Sequence, residues 1–332
     1  VPDLTGRTFV VTGGTGGLGY WASEQLAAAG GSVVIAARNA ERGAAALRSL
    51  TAQVPGADAR FVRLDLADLA SVEEAAAELS ALPRIDALIA NAGVLASHGR
   101  QTTADGFEAM IGTNFLGHFA LIGRMIPALT AQPVTSRVVH LGSISHEFFR
   151  LDLDDLQAST GRFREFRTYG RSKLAVMTYG FELDRRLRLA GSSAASLVAH
   201  PGYSIDELAP RRDILPTPKT APAPVRSAYR VIAQGKDAGA WPIVAAATDS
   251  SAAGGTVLGP GGLAAAERRS HRRDREALLA RPRDRPPALG GGGAPHGRHV
   301  RAPGELSPPA ASQTTEFRPR VGLPVRRSGV LA

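Results

Sequence analysis

Tyr169 and Lys173 stand four residues apart in TYGRSKLAVM, and near its start the chain carries TGGTGGLG at 12–19. On a helix a four-residue step returns to the same face, so a phenol and an ammonium would point into one pocket together. A glycine-rich turn between a first strand and a first helix makes room for dinucleotide phosphates, whose charge the helix N-terminus favours. Gly13, Gly17 and Gly19 fall at the TGxxxGxG spacing. Without side chains the backbone there can turn sharply and approach a pyrophosphate. At the end of the second apolar run stands Arg38, where a carboxylate would bond the ribose 2′-hydroxyl of NAD. A guanidinium suits a 2′-phosphate instead, so NADP(H) is the expected cofactor. Each signal alone has a plain alternative: a chance Tyr/Lys pair, an ordinary turn, a solvated arginine at a strand end. Together and in this order they imply hydride transfer on a nicotinamide.

Up to about residue 260, apolar β-rich runs alternate with amphipathic helical ones, the pattern of a parallel sheet covered by helices on both faces. Strands are expected at 7–12 (RTFVVT), 32–37 (SVVIAA), 60–64 (RFVRL), 85–90 (IDALIA), 137–141 (RVVHL) and 194–199, with a short last one at 255–258. These are continuous apolar runs rather than alternations, as burial on both faces requires. Helices are expected over 17–29, from residue 38 to about 50, 67–79, 106–129, 168–189, 225–234 and 238–247. After Pro201-Gly202 the pattern loosens. Residues 203–224, with LPTPKTAPAP, hold too much proline for one regular helix and read as a substrate-covering segment or a surface loop. The fold class is thus a single-domain Rossmann-type doubly wound parallel sheet over 1–262.

The 332 residues are 44% hydrophobic, ample for a core, and contain no cysteine, which excludes disulfides, thiolate metal sites and a cysteine nucleophile. The net charge of +9 invites a nucleic-acid partner, but its distribution argues otherwise. Residues 261–332 hold 14 Arg, no Lys and 6 acids, leaving 25 basic against 24 acidic residues in 1–260. No nucleic-acid contact is therefore expected of the folded part, and any such contact belongs to the tail. That tail, 263–332, is rich in Arg, Pro and Gly without a sustained apolar period, so it is expected to be disordered. Arginine without lysine is also what a GC-rich gene read out of frame would encode. No apolar run approaches the ~18 residues of a membrane span. The opening VPDLTGRTF lacks a signal-peptide pattern, so a soluble, cytoplasmic protein is the expectation. His118, His140, His146 and His200 are scattered rather than spaced as ligands, and no metal is expected.

The motifs TGGTGGLG at 12–19, AARNAERG at 36–43, LDL at 64–66, NAG at 91–93, NFLGHFAL at 114–121, RVVHLGSISH at 137–146, YGRSK at 169–173 and HPGYS at 200–204 follow one another through residues 7–260. In that combination the chain resembles the short-chain dehydrogenase/reductase family, in its retinol-dehydrogenase-like and WW-domain-oxidoreductase-like branch; the tail has no counterpart there. The resemblance implies Tyr169 as general acid/base, with Lys173 lowering the phenol's pKa and holding the nicotinamide ribose. It implies Ser143 as the donor that steadies the substrate oxygen, with Ser145 as rival because the match reads GSIS. Asn114 would hold a water linking Lys173 to solvent, or serve as a buried structural amide. For the cofactor it implies Thr15 and Leu18 in the turn, Asp65 and Leu66 at the adenine, Asn91, Ala92 and Gly93 after the fourth strand, and Pro201 and Gly202 beside the nicotinamide. Asn91 has a structural alternative, stabilising the sheet.

The expected substrate is a lipophilic carbonyl or alcohol, lined by Phe148, Phe149, Tyr203 and the 203–224 segment. By analogy a homodimer or homotetramer is expected. A non-catalytic NADP-binding regulator of the same fold is the alternative, against which the presence of Tyr169 and Lys173 argues. An epimerase or dehydratase is disfavoured by the form of the glycine turn.

Overall fold

The computed structural model of the chain describes residues 1–95, 99–132, 134–215 and 233–260. The Arg-rich tail, most of the helix expected over 225–234 and the substrate segment beyond 215 lie outside the described residues. Strands and helices alternate as β1 (Thr8–Thr12), α1 (Gly17–Ala28), β2 (Ser32–Ala37), α2 (Ala40–Gln53), β3 (Ala59–Arg63), α3 (Leu69–Ser80), β4 (Ala87–Ala90), α4 (Gly117–Thr130), β5 (Arg137–Leu141), α5 (Glu165–Leu189) and β6 (Ala195–Ala199). Beyond β6 come β7 (Ser204–Ile205), β8 (Gln234–Gly235), the short helices α6 (Lys236–Gly239) and α7 (Trp241–Thr248), and β9 (Val257–Leu258).

The main sheet is parallel throughout, in the order β3-β2-β1-β4-β5-β6-β9. The chain therefore starts mid-sheet, winds out to β3, then returns past β1 to β4 and winds out the other way. That reversal opens a crevice at the strand C-termini between β1 and β4, where such sheets take ligands. Successive strand residues face opposite sides. Val10, Val34, Leu88 and Val138 pack under Leu121, Met125 and Leu183 of α4 and α5. Phe9, Val11, Ile35, Ile89 and Val139 face α1 and α7 through Leu26, Ile243 and Val244. Both faces are dry, which is why the strands read as unbroken apolar runs.

Three sequence expectations are corrected. The helix expected over 106–129 does not start at Gly106, which has φ of 82° and sits between Thr102 and Glu108, an isolated antiparallel bridge. The buried Glu108 carboxylate accepts from Met110 N (3.0 Å) and Ile111 N (2.8 Å), so the helix begins there. Its first stretch, Ile111–Leu116, is π-helical, closed by Gly117 N–H donating five residues back to the Gly112 carbonyl. Gly117 lies against the Leu66 carbonyl, where a Cβ would clash. Such a π turn rotates the residues before it relative to the rest of the helix, and Asn114 lies within it. The helix expected over 238–247 is two, joined at Ala240 with Pro242 in the first turn of the second. Gln234, placed by its sequence in a helix, instead begins β8, which pairs with β7 through Ser204↔Gln234 and Ile205↔Gly235. Among the described residues no helix is long and apolar enough to cross a membrane.

Candidate active site

Helices α2 and α3 have side-chain caps: Asn39 accepts from Arg42 N and Asp68 from Ala70 N and Ser71 N. Helix α1 has none. Gly16 occupies its cap position and its first turn carries no acid, so the N–H groups there have no side-chain acceptor. Gly13 (φ 68°) and Gly17 (φ 55°) take left-handed conformations that only glycine adopts without strain. A Cβ on Gly13 would stand 2.9 Å from the Ala92 Cα, so β1 and β4 close tightly beneath the turn. The turn thus presents uncapped N–H groups, a helix positive end and open space, which fits a pyrophosphate.

Above it runs a cleft of about 430 Å³ along the strand ends. Of the residues predicted for the cofactor, it is lined by Gly13, Thr15, Gly17, Leu18, Arg38, Asp65, Leu66, Asn91, Ala92, Gly93, Tyr169 and Lys173. Gly19 is not at its surface; it faces Asn91 Nδ2 and the Gly13 carbonyl, so its missing side chain serves packing. Pro201 and Gly202 also lie off the cleft walls. The Pro201 carbonyl accepts from Ser204 Oγ and Gln234 Nε2, both at 2.7 Å, and Gly202 (φ 63°) packs on Pro260. Asn91 is committed to the sheet: its Nδ2 donates to the Thr12 carbonyl (2.8 Å), and its N–H, with that of Ala92, donates to Thr12 Oγ1 at 3.0 Å. Lining and stabilising are both done by this residue.

Lys173 is 4% exposed and donates to the Leu141 carbonyl at the end of β5 (3.0 Å), with its Nζ 5.9 Å from the centre of the Tyr169 ring. Tyr169 is half-buried, and the Ser143 side chain is the neighbour that favours its ionised hydroxyl. Ser143 Oγ accepts from Ser145 N (3.2 Å). The pKa expectation for Tyr169 is reversed: burial pushes the phenol up, and the Ser143 hydrogen bond, not the lysine charge, acts against that rise. Asn114 is 1% exposed; its Oδ1 accepts from Val94 N (2.7 Å), and its Nδ2 donates to the Val94 carbonyl (3.1 Å) and Ser172 Oγ (2.9 Å). Through these bonds it ties the strand after β4 to the helix carrying Lys173.

Behind the cleft, burial pulls His118 down to about 4, so it is neutral at ordinary pH. Its Nδ1 faces the Asn114 carbonyl (2.9 Å) and must carry the proton, leaving Nε2 to accept from Thr12 Oγ1 (2.9 Å). His118 thus joins the tip of β1 to the π turn. Phe149, expected in the substrate pocket, packs on Gly170 and edge-on to Phe166, one residue from Tyr169. Phe148 and Tyr203 are 66% and 52% exposed. Lys236 lines the cleft beside Gly17, and no periodicity or motif had singled it out.

Residues 7–149 match the family model for short chain dehydrogenases. Human retinol dehydrogenase 13 is 36% identical over 206 residues, which are 62% of this chain and 61% of that protein. Mouse polyprenol dehydrogenase is 36% identical over 268 residues, 78% of this chain and 77% of that protein. The chain thus spans under two thirds of the former's length. Among solved structures, an uncharacterized protein of Mycobacterium paratuberculosis is 34% identical with a TM-score of 0.62, covering 78% of this chain and 82% of that one. The fold also recurs, at 24% identity and a TM-score of 0.58, in an NADP complex of Pseudomonas aeruginosa RhlG, with 78% and 96% covered.

Burial alone pulls Lys173 down to about 8 from an ordinary 10.5. The folded chain then binds this proton less tightly than the unfolded one. The penalty, about 3 kcal/mol, is full below pH ~8 and disappears as pH rises towards ~10.5. Relative to Lys173→Met, the wild type should therefore gain unfolding free energy between neutral pH and pH ~10, as read by urea denaturation. A difference that stays flat with pH would mean that the ammonium is not desolvated.

Proposed function

The chain belongs to the short-chain dehydrogenase/reductase family, in its retinol-dehydrogenase-like branch, and on that premise we propose that it is an NADP(H)-dependent oxidoreductase of lipophilic carbonyls and alcohols. The observation that carries this reading is that Tyr169 and Lys173 line one cleft at the strand ends with the uncapped glycine turn. When bound, the nicotinamide supplies or takes up the hydride.

The rest is the work of this chain's side chains. Tyr169 gives its hydroxyl proton to the substrate oxygen in reduction and takes it back in oxidation. A phenol holds its proton at neutral pH, and burial, which raises Tyr169 further, reinforces that. Ser143, the neighbour that favours the ionised phenol, would donate to the same substrate oxygen. Lys173 holds positive charge beneath the site and hydroxyls of the cofactor ribose. Asn114 positions Val94 and Ser172 around it and, through a water, carries the proton route from Lys173 towards solvent.

Arg38, exposed at the cleft rim between β2 and α2, supports a 2′-phosphate and hence NADP(H). The lipophilic substrate class rests on the exposed Leu95 in the cleft, on Phe148 and Tyr203 nearby in sequence to Ser143 and Pro201, and on relatives named for retinol and polyprenol. Phe119, 49% exposed on α4, packs at a tilt against Tyr179 of α5 with ring centres 5.0 Å apart, an aromatic face suited to a second copy of the chain.

The test is a panel of aliphatic, isoprenoid and aromatic aldehydes followed by loss of NADPH absorbance. Tyr169→Phe should lose at least about 10²-fold in turnover while binding NADPH as the wild type does. Turnover surviving in Tyr169→Phe would remove the phenol from the mechanism. Arg38→Asp should lose affinity for NADPH by at least about tenfold and gain for NADH, since a carboxylate repels the phosphate and accepts from the hydroxyl. Equal preference before and after would count against the assignment of Arg38.

A further inference from the structure

The chain uses Arg 36 times and Lys three times, and two of the three lysines, Lys173 and Lys236, line the same cleft. Lys173 has a part in the chemistry. Lys236 has none so far, yet its position is well defined. It is the first residue of α6, and α6 is held on α1: Gln25 Nε2 donates to the Asp237 carbonyl (2.8 Å), and Gly239 packs closely on Leu18. A Cβ built on Gly17 would stand 3.3 Å from the Lys236 Nζ. The ammonium therefore sits directly over the first residue of α1, beside the uncapped N–H groups of that helix.

The partner of that ammonium is Asp206, with Nζ 2.5 Å from Oδ2. The two side chains are 24% and 41% exposed, so the pair is neither sealed in the core nor free on the surface. As an ion pair at such a depth it adds little to stability. A carboxylate beside a phosphate site would repel the anion unless a cation stood between them. An ammonium has three donors; it can keep one on Asp206 and turn the others to a second acceptor.

We propose that Lys236 is a cofactor-binding residue whose ammonium, oriented by Asp206, bonds the pyrophosphate of the dinucleotide above Gly17. The inference rests on the reading of the cleft as a nicotinamide dinucleotide site and adds a contact to it. The pyrophosphate is common to NADPH, NADH and ADP-ribose, so Lys236 contributes affinity without choosing between cofactors. Arg38, at the other end of the cleft, is the residue that chooses.

Isothermal titration of the full chain with NADPH, NADH and ADP-ribose, at low and high salt, tests this. Lys236→Met should weaken all three by a similar factor, about tenfold for one charge-assisted hydrogen bond, and should flatten the salt dependence. Lys236→Arg should recover much of the loss. Asp206→Asn, which removes the competing carboxylate, should bind as tightly as wild type or more tightly. A pair that merely joined the start of α6 to the strand after β6 would behave otherwise: Asp206→Asn would then weaken binding as much as Lys236→Met, and that result overturns the inference. So does Lys236→Met binding ADP-ribose as well as the wild type. A wild-type chain that binds none of the three ligands overturns the dinucleotide reading itself, and this inference with it; unchanged binding in Lys236→Met alone leaves that reading standing.

Discussion

An ammonium buried at the end of a parallel sheet is the constraint around which this edge of the molecule is arranged. Lys173 is removed from water and donates to the Leu141 carbonyl at the tip of β5. Desolvation of a charge is costly unless the group is held for a purpose or neutralises, and here burial brings the lysine down only to about 8. It therefore stays largely charged near neutrality. The same burial lifts Tyr169, four residues earlier on α5. A cation that has been made easier to discharge and an acid that has been made harder to discharge stand side by side.

What holds the pair in place is a chain of hydrogen bonds that begins far away in sequence. Thr12 Oγ1 accepts from the backbone N–H groups of Asn91 and Ala92 and contacts His118, whose other nitrogen reaches the Asn114 carbonyl. Asn114 then bonds Ser172, the neighbour of Lys173. The β1 tip, the β4 tip, the π turn and α5 are thus one connected polar network inside an otherwise apolar core. The side chains of Thr12, Asn91, Asn114, His118 and Ser172 are all buried, so removing any one strands others without water. The cleft owes its fixed floor to this network, and the glycine turn owes its close approach to β4 to the absence of a side chain at Gly13.

Much of this was legible beforehand. Runs such as SVVIAA at 32–37 are strands because both sheet faces are covered, and β2 and β5 have the bounds their sequences imply. The Tyr169/Lys173 spacing and the TGxxxGxG turn placed both ends of the site, since each depends on local geometry. Interactions between distant segments were not legible. The π turn depends on Gly117 meeting the Leu66 carbonyl, and the helix start on a buried Glu108, neither of which has a periodic signature. The direction of the Tyr169 shift depends on how much water the fold excludes, which spacing cannot convey. Lys236 reaches Gly17 only because α6 folds back onto α1.

The most direct measurement is of the hydride itself. NADPH carrying deuterium at its hydride-donating carbon is mixed with the chain and an aldehyde it reduces, and the alcohol is analysed by mass spectrometry and NMR. One of the two deuterated epimers should place its label on the carbinol carbon, the other should leave it on the cofactor, and the alcohol's hydroxyl proton should come from solvent. An alcohol with no label from either epimer, or a label lost to water, would contradict the account.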